Sequence, residues 1–384
     1  MKRYFMYSAL FFGLTFGSCK TISTTVSFEN KRTPLNPLAH RGVDQYNPAV
    51  VLTYREEVEQ QKSEHQAEVN KITAQYEADL AEFQSKSIAE RELLGLTPPK
   101  LRLPEEPAFP YLYNEEELAK KIAIEGMEKG NQNALEIYVQ YEPLEFDTPK
   151  LNTNTRKRKK DEVEYVDTLY SYSVRIKQPV SIYAVSPLGD EYLEYVSPTT
   201  NWSNVRGASV KDSVEAFDHL LGTIEAREKR IGHDHIQHVN NDLNSQFGTV
   251  NLSYRVTLYS RKPSNKYNYD DLDQAKTHAE RGLHLLLKNK NQGIEELNKA
   301  YVIWTEAAKE HNRSGKGRIN HKVMRGILKN LIIASIFTEN WDAVDHFIRE
   351  IEKMKLSGSD KREVRYLKNK YNDLKARYDA LKLD

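Results

Sequence analysis

The chain of 384 residues holds one cysteine, Cys19. A single thiol excludes an intrachain disulfide framework and makes a poor metal centre. Long apolar runs are equally scarce. The one sustained run, Tyr4 to Phe16, is shorter than the ~20 residues a spanning helix needs. Charges interrupt every later apolar stretch. Apolar residues make up 39% of the chain and charged residues 29%, a balance that favours elongated parts over one large core. A charge excess is lacking too. Lysine plus arginine number 56 and aspartate plus glutamate 55, without the basic footprint of a nucleic-acid binder, so no nucleic-acid partner is expected. The Gly-x-Ser-x-Gly, P-loop and His-Glu-x-x-His motifs do not occur. Acid pairs such as Asp190 and Glu191 are too common in so charged a chain to mark a hydrolase. No catalytic residue and no cofactor is expected.

What is present begins with the leader. Lys2 and Arg3 are basic, Tyr4 to Phe16 is apolar, and the small residues Gly17 and Ser18 stand directly before Cys19, the three-part pattern of an export signal. The tetrad Phe16-Gly17-Ser18-Cys19 resembles the lipobox of bacterial lipoproteins, with Phe16 where leucine is usual. The resemblance implies a signal peptide over 1–18 and a diacylglyceryl group on the Cys19 thiol. It also implies a membrane partner through that anchor, which is stable where two or more acyl chains are attached. Removing residues 1–18 takes away Lys2 and Arg3 and no acids, leaving 54 basic against 55 acidic residues.

The pattern beyond Cys19 predicts an α+β chain. Residues 19–52 are polar, with Pro34, Pro37 and Pro48, and read as a tether. Over 53–96, Tyr54, Val58, Gln61, His65, Val69, Ile72, Tyr76, Leu80 and Phe83 recur at three- and four-residue steps, which predicts one long helix. Five prolines between Pro98 and Pro110 make 97–112 a semi-rigid spacer. Residues 113–262 alternate helical and strand periods, an antiparallel sheet domain with helices. Its cleanest strand is Val250-Leu252-Tyr254-Val256-Leu258. From 268 to 384 the period is helical throughout, as in a bundle of antiparallel hairpins, with Gly293, Gly315, Gly317 and Gly358 at the breaks.

In that tail, Ala343 and Phe347 after Asn340-Trp341-Asp342 resemble the second half of a tetratricopeptide repeat, without a 34-residue self-similarity around them. The resemblance implies a helical surface for a protein partner. Taken together, the lipobox, the Pro-rich stretch, the tyrosine-rich strands and the helical tail resemble Bacteroidota lipoproteins of uncharacterised role. In that family an acidic cluster after the cysteine marks export to the cell surface. Here Lys20 follows Cys19 without one, which implies the cell envelope, on the outer membrane facing the periplasm.

Three clusters are candidates for chemistry. His233, His235 and His238 offer imidazoles, the common zinc ligands, but on a helix only His235 and His238 share a face. They are weak metal candidates on a solvent-facing helix. Arg156-Lys157-Arg158-Lys159-Lys160 lies between two strands, as an exposed hairpin tip that would meet a partner or an anionic surface. The 23 tyrosines suit half-buried strands. The expected function is therefore a membrane-anchored interaction or scaffold module of the envelope. The alternative is an envelope enzyme or carbohydrate binder using the sheet domain.

Overall fold

The structure, a computed structural model, describes residues 21–160, 163–196, 201–312, 314 and 317–382. Phe16, Gly17, Ser18 and Cys19 lie outside the described residues. In chain order the elements are β1 (Thr21–Arg32), β2 (Gln45–Leu52), α1 (Arg55–Ser85), α2 (Ile88–Leu93) and α3 (Glu115–Lys121). There follow β3 (Glu128–Lys129), β4 (Ala134–Tyr141), β5 (Glu145–Phe146), β6 (Lys150–Lys160), β7 (Val163–Lys177), β8 (Val180–Val185), β9 (Glu191–Tyr195) and β10 (Ser203–Arg206). The long helix α4 (Ser213–Gln246) leads to β11 (Val250–Arg261). Five helices complete the chain: α5 (Asp270–Leu285), α6 (Lys290–Lys309), α7 (His321–Phe337), α8 (Trp341–Glu352) and α9 (Gly358–Ala380). At 48% helix and 24% strand the protein is mixed α+β, with antiparallel sheets and a C-terminal helical region.

The chain divides into two compact units, Leu38–Gly248 and the two flanks that enclose it in sequence. The flanking unit joins the N-terminal segment up to Pro37 with everything from Thr249 onward. Its sheet is an antiparallel ribbon of β1 on β11, in register from Thr21 opposite Arg261 to Arg32 opposite Val250. Strand side chains alternate between faces, so Val26 and Phe28 come to one face with Tyr254, Val256 and Leu258, and all five are buried. Phe28 stacks on Tyr254 at 5.7 Å and meets the edge of Phe337 at 4.9 Å.

Beneath the ribbon lies α7, in which every residue from Gly326 to Phe337 is buried. A helix buried all round must satisfy its polar side chains internally. Asn330 does so on the edge of β11: its carbonyl accepts the Tyr259 N–H at 2.9 Å and its amide donates to the Tyr259 carbonyl at 2.7 Å. Lys329, 3% exposed, donates to Asp360 at 2.7 Å and Glu363 at 2.6 Å on α9. Elsewhere in this unit α5 and α6 approach so closely that a Cβ on Gly282 would meet the Gly293 carbonyl oxygen at 2.8 Å.

The Leu38–Gly248 unit holds two sheets. One has the order β3-β2-β4-β8-β9, with β2 parallel to both β3 and β4 and the remaining pairs antiparallel. The other is antiparallel, with β7 between β10 and β5 and with β6 paired along β7. The core gathers Ile137, Val139, Tyr141, Ile176 and Ile182 from strands, Leu118 from α3, and Leu220, Val239 and Leu243 from α4. Asp212 caps α4 by accepting from the N–H groups of Val214 and Glu215, which fixes where this 34-residue helix starts.

Several expectations are corrected here. Residues 21–32 and 45–52, expected within the tether, form β1 and β2, because their apolar residues find partner strands far along the chain, β11 for β1 and β4, 89 positions on, for β2. Strand β11 belongs with the helical tail, since its partner is β1. The helix expected over 53–96 stops at Ser85. Lys86 is extended, and Ser87 with Glu90 forms a capping box that starts α2. Gly293, expected at a break, lies in the first turn of α6, where its lack of a side chain admits α5.

Candidate interaction site: a helical arm and the cleft at its base

Residues 55–110 form an arm. The Tyr54 hydroxyl donates to the Tyr111 carbonyl at 3.0 Å, and Arg55 donates to the Tyr113 carbonyl at 3.0 Å and to Glu115 at 3.1 Å. Both ends of the segment therefore meet at one place. Between them α1 runs for 31 residues with a single buried side chain, Val58. At ~1.5 Å per residue such a helix spans ~46 Å. The segment 97–110 has no regular hydrogen-bonded structure, and at the ~3.1 Å per residue of a polyproline helix it covers ~43 Å. The Pro-rich stretch is thus the return leg of an arm, not a spacer between domains. Phe109 on this leg touches α1 near its start, against His65 at 6.5 Å and under the Lys62 ammonium at 5.5 Å. The stripe His65, Val69, Ile72, Tyr76, Leu80 and Phe83 is half-covered.

The far end of the arm is apolar and bare. Leu93 is 87% exposed and Ile88 73%, and Leu94, Leu96, Leu101 and Leu103 are exposed beside them. Single exposed apolar residues are ordinary, whereas six large ones within sixteen positions of sequence are unusual. Arg91 steadies the tip by lying over the Phe83 ring at 4.5 Å and donating to the Gln84 carbonyl.

At the base of the arm a cleft of about 690 Å³ opens between the return leg, α4 and the β5–β7 region. Its walls are mostly apolar. Glu228 of α4 reaches into it and accepts the Tyr111 N–H at 3.0 Å. Burial raises the pKa of Glu228, and neighbouring Glu225 adds to that effect.

The basic run occupies the outer half of β6, where Arg156 faces Asp167 and Arg158 faces Tyr165 across the ladder. It was expected as a hairpin tip and is instead strand, with 156–159 exposed. Among the described strands β6 pairs only with β7, so these cations line a sheet edge. Charge on an edge blocks unwanted strand pairing. Arg158 and Lys211 both pair with Asp167, at 3.2 and 3.1 Å.

The histidine cluster is partly corrected. His233 is exposed, but His235, expected toward solvent, is 5% exposed and lies 6.4 Å from the Tyr141 ring. Burial, with His238 and Arg227 adding to it, lowers the His235 pKa to about 4. Helix α4 turns this position inward with Ala216, Leu220, Ile231, Ile236 and Val239. Among the described residues no group of three or more His, Cys, Asp or Glu is placed to hold a metal ion, and no helix is long and apolar enough to cross a membrane.

The arm tip was missed in the sequence. Its signal was the crowding of leucines around a Ser-x-x-Glu box and prolines, a pattern that stays silent about exposure. Fold and site together define a two-unit α+β protein with an insertion arm. Comparison with protein-family models, with curated proteins and with solved structures finds no match.

Proposed function

We propose that this chain is a lipid-anchored envelope protein, attached through Cys19 to the outer membrane on its periplasmic side, and that it serves as an interaction or scaffold module. One observation carries the interaction reading: the arm spends 31 helical residues burying one side chain and delivers an apolar patch at its end. A helix that stabilises its own fold so little has its contact face directed to something else. The anchor reading rests on the lipobox-like tetrad before Cys19. Strand β1 starts at Thr21, so a lipid on Cys19 would sit within ~7 Å of chain from the folded ribbon. The resemblance of Ala343 and Phe347 to a tetratricopeptide repeat would make the helical tail a second partner surface. Phe347 meets Tyr301 of α6 at 6.0 Å, and Ala343 packs against the same core.

The envelope-enzyme alternative has less support. The cleft is mainly apolar, and two of its three carboxylates, Asp147 and Glu225, are bonded to Arg175 and Lys229. Photo-crosslinking in intact cells tests the proposal. A crosslinker at Leu93 should give a defined protein adduct that disappears with Ile88→Glu plus Leu94→Glu. Palmitate labelling should disappear with Cys19→Ala. An arm tip that crosslinks to nothing, while body positions do, refutes the interaction reading. Label still entering Cys19→Ala refutes the anchor.

A further inference from the structure

The cleft at the base of the arm is shaped and charged for a ligand of a definite kind. Its volume, about 690 Å³, lies within the ~300–1,000 Å³ range of small-molecule sites. Phe109, Leu144, Phe146, Val174, Leu221 and Ile224 line it. Two of these, Phe146 and Leu221, are about half exposed, apolar area that a bound molecule would remove from water. The charges at the rim are already neutralised. Asp147 accepts from Arg175 at 2.9 Å, and Glu225 accepts from Lys229 at 2.6 Å.

Glu228 is different. Its Oε1 accepts the Tyr111 N–H, and the nearby Lys229, whose charge favours the ionised carboxylate, donates instead to Glu225 at 2.6 Å. A half-buried carboxylate without a direct ion-pair partner is unfavourable in the free protein. It becomes favourable when a cation arrives, because a charge-assisted hydrogen bond in a shielded cleft is stronger than one in water.

We propose that this cleft binds a small molecule made of an apolar body and one cationic, N–H-bearing head. The head sits on the free oxygen of Glu228 and the body lies against Phe146 and Leu221. A neutral apolar ligand would leave the Glu228 charge uncompensated, and an anionic one would add repulsion. The site is independent of the lipid anchor and of the arm tip.

Isothermal titration of the purified protein carrying Cys19→Ala tests the assignment, using decylammonium, decanol and decanoate below their micellar concentrations. Decylammonium is expected to bind saturably with one site per chain, at least tenfold tighter than decanol and tighter still than decanoate. Glu228→Gln should bring decylammonium down to the level of decanol. Leu221→Trp, at an exposed position, should block the cleft while leaving the circular dichroism spectrum unchanged. Equal affinity for decylammonium and decanol overturns the proposal, as does binding that ignores either substitution, and as does no saturable binding. A cleft that takes a lysine-bearing apolar peptide but not decylammonium overturns it in favour of a protein partner.

Discussion

The Tyr54 hydroxyl holds the Tyr111 carbonyl at 3.0 Å across 57 positions of sequence. With Arg55 bonded to Tyr113 and Glu115 beside it, this contact closes the base of the arm. What lies beyond it is an excursion from the Leu38–Gly248 unit.

Closure at the base makes the outer arm dispensable for stability. Replacing residues 66–104 by a short Gly-Ser turn keeps Val58, Phe109 and the Tyr54–Tyr111 bond. The thermal midpoint should then stay within ~3 °C of the parent, since few buried contacts are lost. Scanning calorimetry showing a drop of ~10 °C or more would mean that the outer arm supports the core.

Strand β1 should behave as an integral part of the helical unit. Phe28→Ala removes a ring packed on Tyr254 and Phe337, at an expected cost of ~3–4 kcal/mol, read by urea unfolding. A fragment starting at Thr249 should fold poorly on its own, because β11 loses its only partner among the described strands. Adding a peptide of residues 21–37 should restore its helical signal and a cooperative transition. A fragment equally stable with and without the peptide would contradict the pairing.

His235 should make stability depend on pH. Its folded pKa, about 4, lies below the ordinary 6.5, so the unfolded chain takes up a proton that the folded chain refuses. Its contribution is fully present above ~6.5 and is lost as pH falls toward 4. The loss should amount to ~2–3 kcal/mol across that window. His235→Phe, which keeps the ring against Tyr141, should remove this component of the slope. Identical pH profiles for parent and variant would show that the imidazole titrates freely.

Lys329 should be costly to remove. It is 3% exposed and bonded to Asp360 and Glu363. Burial opposes the charge on Asp360, but the bonds from Lys329 and Ser357 outweigh it and hold its pKa at about 2. Lys329→Met leaves Glu363 with only the Tyr259 hydroxyl and Asp360 with Arg325 and Ser357, and should destabilise by ~2–4 kcal/mol. Adding Asp360→Asn and Glu363→Gln should recover part of the loss. Chemical denaturation giving less than ~1 kcal/mol for the single variant would mean that solvent already screens the cluster.

Local signals carried much of the secondary structure. The strand alternation of 250–258 and the helical period after 270 are each written within a few residues. That is because caps and periodicity act over one or two turns. The Ser87–Glu90 box is equally local, but the helical period of α1 runs straight into it and masks the break.

Pairing across distance was not legible. An alternating strand states which face is apolar but not which strand lies beside it, so β1 read as tether and β11 as part of the wrong unit. Likewise a proline-rich stretch states that the chain is extended, not that its two ends return to Tyr54. His235 read as surface because its neighbours His233, Asp234 and Gln237 are polar. The sequence by itself determined the leader pattern ending at Cys19, the mixed helix and strand periods and the charge balance. Only the tertiary structure decided that the N-terminal strand completes the helical unit, that the arm tip stays bare, and that Glu228 faces a mostly apolar cleft while Lys229 is bonded to Glu225. Those features depend on contacts between residues tens to hundreds of positions apart, which no local pattern encodes.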